Sequence, residues 1–248
     1  MKRKAYEMVK NISQLIYKKP KIYLPDNYDE SIPSIFMCNH SKNYGPVMVA
    51  AHFPYKLRPW SHSEVVHYDE SFEYIRDTFC IDRLKLNKKM GEILAKLIAK
   101  PVVALVNMNN PIAIYHDGVR DIGTIRESID SLAKNENQLI FATNDEPLAI
   151  KGAINPKFDF LQGYLLVVGQ LLHKGITPRI YPVSINKEEA TISIGEPIIP
   201  DRHNGWKSER NRIHTYIVNE VKNGYSNPCR DKEAVGMEGS AVQLKIAR

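Results

Sequence analysis

The chain of 248 residues is long enough for one large α/β domain with a buried core or for two small ones, and 43% hydrophobic with 25% charged residues is the balance of a globular protein, not a disordered one. A net charge of +6 and a pI near 9.0 draw it to polyanions, whether nucleic acid, anionic lipid or phosphorylated substrates, without choosing among them. Its cysteines, Cys38, Cys80 and Cys229, are far apart and form no C-x-x-C, which argues against a disulfide framework or zinc site and fits a reducing cytosol; no secretory leader and no apolar run of membrane-spanning length is legible.

In chain order, Tyr6, Val9, Ile12, Leu15 and Ile16 form an apolar stripe over residues 4–17. Lys2, Arg3, Lys4, Lys10, Lys18 and Lys19 stand around it against Glu7 alone. This is an amphipathic helix with a basic polar face, which packs on the domain or lies on an anionic membrane surface. Ile32 to Cys38 reads as a buried strand and Tyr44 to Phe53 as a helix with Pro46 in its first turn. A second strand falls within Tyr55 to Val66. Ser71 to Phe79 and Lys88 to Leu105 read as helices, the latter kinked or ended by Pro101. Ile112 to Tyr115 is a strand. Ile122, Ile125, Ile129 and Leu132 place a helix over Asp121 to Lys134, followed by a strand over Gln138 to Ala142. Phe158 to His173 is an apolar helix. Arg179 to Ile185 and Ala190 to Ile194 are strands joined by a polar turn, and Trp206 to Val221 is a last helix with Ser208 as a cap. Strands and helices alternate, which predicts a single α/β domain with a mixed, mostly parallel sheet flanked by helices. The divisions are 1–29, a basic helix and linker; 30–224, the α/β domain; and 225–248, a tail without apolar periodicity.

The stretch that carries chemistry is Phe36-Met37-Cys38-Asn39-His40-Ser41-Lys42-Asn43-Tyr44-Gly45-Pro46. A His at a strand end, before a helix, faces a cleft and can serve as a general base near neutral pH. His62 and His67 are five residues apart, which puts them on different faces of a helix and on opposite faces of a strand, so no metal site is predicted. There is no G-x-S-x-G, P-loop or G-x-G-x-x-G.

Taken together, these blocks resemble the glycerol-phosphate (lysophosphatidate) acyltransferase family over roughly residues 30–222. Asn39-His40 matches the family's Asn-His motif, with Gly45 where the family's Asp stands; a less-studied bacterial branch often has Gly-Pro there. Pro111 to Tyr115 matches the second block, with His116 in the place of Arg. Asn137 to Phe141 matches the strand of the Phe-Pro-Glu-Gly block, with Ala142-Thr143-Asn144 replacing its last residues. Ile180-Tyr181-Pro182-Val183 matches the fourth block. The resemblance implies transfer of a fatty acyl group from acyl-CoA or acyl carrier protein, which is a substrate and not a cofactor, to a lysophospholipid-like or glycerol-phosphate hydroxyl. His40 would be the base. Its carboxylate would come from Glu64, Asp117, Asp145 or Glu146. We take Glu64 as the catalytic candidate, because it follows the Arg58-Pro59-Trp60 segment expected beside the His loop.

Substrate would meet Asn39, Tyr44, His116, Arg120 and Thr143, with Arg120 and the start of the Asp121 helix taking the acceptor phosphate; Tyr44 and the Ile93 to Val106 segment would touch the acyl chain. The implied location is cytoplasmic, peripheral to the inner face of the cell membrane, with an anionic surface as partner. The alternative is a catalytically inactive lipid-binding or scaffold protein on the same fold. A nucleic-acid role rests on pI alone, without a basic-aromatic stripe.

Overall fold

The computed structural model describes residues 17–26, 28–41, 44–115, 121–141 and 162–226. Among the described residues, seven strands form one sheet: β1 (Lys21–Tyr23), β2 (Ser34–Cys38), β3 (Arg58–His62), β4 (Ile112–Ile114), β5 (Gln138–Phe141), β6 (Arg179–Asn186) and β7 (Thr191–Ile194). Their order is β1-β7-β6-β2-β5-β3-β4. Every pairing is parallel except β6 with β7, the hairpin predicted from the polar turn at Asn186-Lys187-Glu188-Glu189. The single α/β domain with a mixed, mostly parallel sheet is therefore the architecture observed. β1 has no counterpart in the sequence reading: it is three residues long, lies between Pro20 and Pro25, and forms only by pairing with β7, 170 residues away.

β2 is the middle strand and is fully buried, so its side chains feed both faces. Ile35 and Met37 point to one side and pack with Ile140 and Ile180 beneath α5 (Asp121–Ala133), α6 (Tyr164–His173) and α7 (Trp206–Ser226). Phe36 and Cys38 point to the other, beneath α1 (Tyr44–His52), where Phe36 stacks on Tyr181 with ring centroids 4.9 Å apart. Burying a side chain such as Phe36 fully is worth about 3 kcal/mol.

The segment between β3 and β4 forms a helical insert with a small core of its own. It contains α2 (Ser63–Val66), α3 (Tyr68–Tyr74), a π-helical run (Ile75–Arg83) and α4 (Lys88–Asn107). Ser71 to Phe79, predicted helical, is helical and divides between α3 and the π-helical run. Hydrogen bonds of the i→i+5 type bring residues five apart onto one face, and Ile75 and Cys80 both enter the insert's core. Asn87 caps α4, its Oδ1 accepting from the Met90 N–H at 3.0 Å. Pro101 does not end α4, which runs on to Asn107. The carbonyl that loses its N–H partner belongs to Leu97, on the exposed side of the helix, where water can satisfy it.

α7 begins at Trp206, so Ser208 lies in the first turn and does not cap it. The start of the helix is held by Glu209, a carboxylate only 1% exposed. It accepts from Arg212 Nε at 3.0 Å, from the Asp201 N–H at 2.8 Å and from Asn204 Nδ2 at 3.1 Å. The Arg212 guanidinium and these donors hold its pKa down at about 2, against an ordinary 4.5. A depressed carboxylate stabilises the fold at pH values above its unfolded pKa, and that contribution disappears as pH falls through the folded one. Glu209→Gln should therefore cost about 2 kcal/mol at pH 7, after allowance for the exposure of Arg212. The gap in urea midpoint between variant and parent should narrow progressively below about pH 4.5; a gap independent of pH would contradict the ion-pair assignment.

α7 also passes the predicted boundary at Gly224. Its last turn includes Ser226, the Tyr225 carbonyl accepts from Asn186 Nδ2 at 2.9 Å, and a Cβ on Gly224 would come within 2.8 Å of Ser184 Oγ. The rest of the predicted tail, the N-terminal helix up to residue 16 and the first residues of the Phe158 to His173 helix lie outside the described residues.

Candidate functional site

Parallel strands β6, β2, β5, β3 and β4 all end along one edge of the sheet, and in open α/β sheets ligands bind in the crevice outside those carboxyl ends. His40 stands there, two residues past the end of the middle strand.

What holds it is the residue before it. Asn39 is 2% exposed and uses its side-chain amide as a strand uses its backbone. Oδ1 accepts from the Ile185 N–H at 2.7 Å, and Nδ2 donates to the Ile185 carbonyl at 2.9 Å. The parallel ladder between β2 and β6 is thus prolonged by one rung made of a side chain. Asn39 is expected to meet substrate; in the structure its side-chain oxygen and nitrogen both bond the backbone of β6. Asn39→Ala would leave the buried N–H and C=O of Ile185 without these partners, at a cost of about 2–4 kcal/mol. Urea denaturation should show a lower midpoint with an unchanged slope; an unchanged midpoint would mean the clamp carries no stability.

Past Asn39 the chain turns sharply. Ser41 takes a left-handed conformation, φ 51°, and α1 starts at Tyr44. Gly45, in the first turn of α1, backs onto the His40 peptide so closely that a Cβ there would lie 2.0 Å from the His40 carbonyl oxygen. The half-buried His40 imidazole packs beside the Phe141 ring, with centroids 5.2 Å apart and planes at 59°. Phe141 reaches it because the β2–β5 register pairs Cys38 with Phe141. Cys38, fully buried just before the motif, has its thiol pushed well above the ordinary range by burial, which keeps it an unreactive core side chain.

The remaining predicted residues divide into three groups. Glu64 is exposed in the first turn of α2, just past the end of β3. Strand β5 stands between β3 and β2, so the two carboxyl ends are separated by two strand spacings, about 10 Å. Tyr44 is 3% exposed and turns into the core under α1, edge-on to Tyr17 with centroids 5.2 Å apart. Burial, with Tyr17 adding to it, raises its pKa, and its hydroxyl makes no hydrogen bond among the described residues. His116, Arg120 and Thr143, and the alternative carboxylates Asp117, Asp145 and Glu146, lie outside the described residues. His67 shares a 2.8 Å hydrogen bond with the Tyr115 hydroxyl at the end of β4. Among the described residues, no group of three or more His, Cys, Asp or Glu is placed to hold a metal ion.

This architecture is shared with a solved structure, the 1-acyl-sn-glycerophosphate (LPA) acyltransferase PlsC from Thermotoga maritima. The similarity has a TM-score of 0.51 and covers 90% of this chain and 78% of that one, at 12% sequence identity. The fold is acyltransferase-like. No family model and no curated protein matches the sequence. At such an identity the likeness to PlsC concerns the chain path. The local features above belong to this sequence: the Asn39 rung, the contact of Gly45 with the His40 peptide, and Phe141 against the imidazole. Phe141 and Ile185 were not read as site residues. Phe141 is read from the sequence only as part of a strand and of the Phe-Pro-Glu-Gly block, and Ile185 only as the last residue of a strand; the sheet brings Phe141 beside His40 and Ile185 beside Asn39.

Proposed function

We propose that this protein transfers a fatty acyl group from a thioester of coenzyme A or acyl carrier protein to the hydroxyl of a lysophospholipid-like acceptor, with His40 as general base. The observation that carries the reading is the placement of His40 just past the carboxyl end of the middle strand, on a backbone fixed by the Asn39 rung.

In this reaction the acceptor O–H gives its proton to the imidazole while its oxygen bonds to the thioester carbonyl carbon. The tetrahedral oxyanion then collapses, the C–S bond breaks, and the imidazolium returns the proton to the departing thiolate. The thioester supplies the driving force. Phe141 restricts the rotation of the imidazole by packing against its ring. The test is thiol release from acyl-CoA against a panel of lysophospholipid acceptors. Acceptor-dependent release supports the reading, and none with any acceptor or donor refutes it.

A second reading, a lipid-binding protein without turnover, is favoured by one observation. The position where the resembled family carries Asp is Gly45, and the space a side chain there would enter is filled by the His40 carbonyl.

A further inference from the structure

The helical insert is amphipathic in two senses. One face of α4, with Gly91, Ala95 and Ala99, is buried on the insert's own core, where Gly91 meets the side chains of Cys80 and Ile81. The opposite face is apolar but uncovered. Met90 is 52% exposed, Ile93 50% and Leu97 68%, spaced three and four residues apart, and Leu105 continues the exposed apolar surface at 38%. Three consecutive positions of a helical stripe are thus presented to solvent, an arrangement that marks an interaction surface more often than a solvated face.

Charge indicates the occupant. Lys89, Lys96 and Lys100 recur seven and four residues apart, so they form a ridge along one flank of the stripe. From Lys85 to Lys100 the only acid is Glu92, already paired with Lys96 at 2.8 Å. From Glu64 to Asp82 the balance reverses: Glu64, Asp69, Glu70, Glu73, Asp77 and Asp82 stand against Arg76, itself paired with Asp77 at 2.7 Å. That acidic half lies on the buried side of α4, because α3 and the π-helical run supply Phe72, Ile75 and Cys80 to the shared core. The insert therefore joins a net-acidic stretch before α4 to a net-basic α4 with an exposed apolar stripe; Lys96 pairs with Glu92, and Lys100 Nζ lies 5.7 Å from the Tyr68 ring centroid on α3.

We infer that α4 docks this protein onto an anionic bilayer surface, with Met90, Ile93 and Leu97 inserted at the headgroup boundary and the lysine ridge against the headgroup charges. The inference deepens the acyl-transfer reading and rests on it for its purpose, since a lysophospholipid acceptor resides in such a surface. Its physical basis is independent of that reading. No helix among the described residues is long and apolar enough to cross a membrane, whereas an interfacial helix needs an apolar stripe beside cations and no spanning length.

The test is co-sedimentation of the full chain with vesicles of phosphatidylcholine alone and of phosphatidylcholine mixed with phosphatidylglycerol. Binding should favour the anionic vesicles and weaken as salt rises. Ile93→Asp with Leu97→Asp should reduce binding at least tenfold. Each of Lys96→Ala and Lys100→Ala should reduce it about fivefold. These side chains are exposed, so circular dichroism melts should match the parent and exclude unfolding as the cause.

Undiminished binding by the double aspartate variant would overturn the inference, even if the basic N-terminal region carried the chain to the vesicles. Equal binding to neutral vesicles would also overturn it. So would a dimer, seen by light scattering and abolished by the aspartates, in a chain that ignores vesicles; the stripe would then be a contact between copies. Vesicle binding needs no turnover, so loss of the acyl-transfer reading in the thiol-release assay would leave this result separately legible.

Discussion

Replacing His40 by alanine should lower acceptor-dependent thiol release at least about a hundredfold, the lower range for removal of a general base. The fold should survive, because three features that shape the loop are made by other groups. The Asn39 amide holds Ile185, Ser41 makes the turn, and Gly45 touches the His40 backbone, which alanine retains. Alanine does remove the half-buried packing of the imidazole on Phe141, worth about 1 kcal/mol. A melting temperature within a few degrees of the parent is therefore expected alongside the loss of rate. His40→Gln separates base from donor: it keeps a hydrogen-bonding side chain of similar reach but takes up no proton, so it should be as inactive as alanine. Unchanged turnover in either variant would remove His40 from the mechanism.

The sequence carried most of the architecture because hydrophobic periodicity is a local signal. Ile32 to Cys38, Gln138 to Ala142 and Arg179 to Ile185 read as strands because they are short and bounded by turn residues, and each lies within a few residues of its observed limits. What was missed depends on distant partners. β1 exists because β7 offers it a ladder. The π-helical run follows from where the insert's core lies, which five-residue spacing along the chain does not announce. The site divides in the same way. His40 was legible as a polar residue closing an apolar strand. Asn39 was legible as a neighbour, but its partner lies 146 positions away, and only the β2–β6 register shows that its amide serves the backbone. The expectation for Glu64 requires β3 to adjoin the His40 strand. The sheet instead inserts β5 between them, an order that a sequence containing both strands cannot display. Tyr44 followed a helix start correctly, but its burial under α1 depends on Tyr17 and the core around Phe36.

Gly45 yields the sharper test, because it separates an eroded site from a differently built one. If the position were simply a lost Asp, then Gly45→Asp should restore a carboxylate and raise the rate. The geometry predicts the reverse. The first atom of any side chain there would fall 2.0 Å from the His40 carbonyl oxygen and 3.0 Å from its carbon, with Ile185 Cδ1 3.4 Å away on another side. The obstacle is backbone, which no rotamer change can clear, and it is the backbone of the proposed base. Gly45→Ala alone should therefore cost on the order of 3 kcal/mol or more. In a chain of this length that corresponds to a melting temperature lower by roughly 6–12 °C. Gly45→Asp should be at least as destabilised, because its carboxylate must also be accommodated near the apolar Ile185. Where either variant still folds, the His40 peptide must have moved, and a displacement of about 1 Å can reduce rate a hundredfold. Both should turn over more slowly than the parent, with alanine and aspartate falling together. An aspartate variant that melts like the parent and works faster would show that the loop has room for the carboxylate and that glycine is a loss. Parallel decline would show that the turn is built around glycine, with the imidazole oriented through its backbone and Phe141 rather than by an acid from α1.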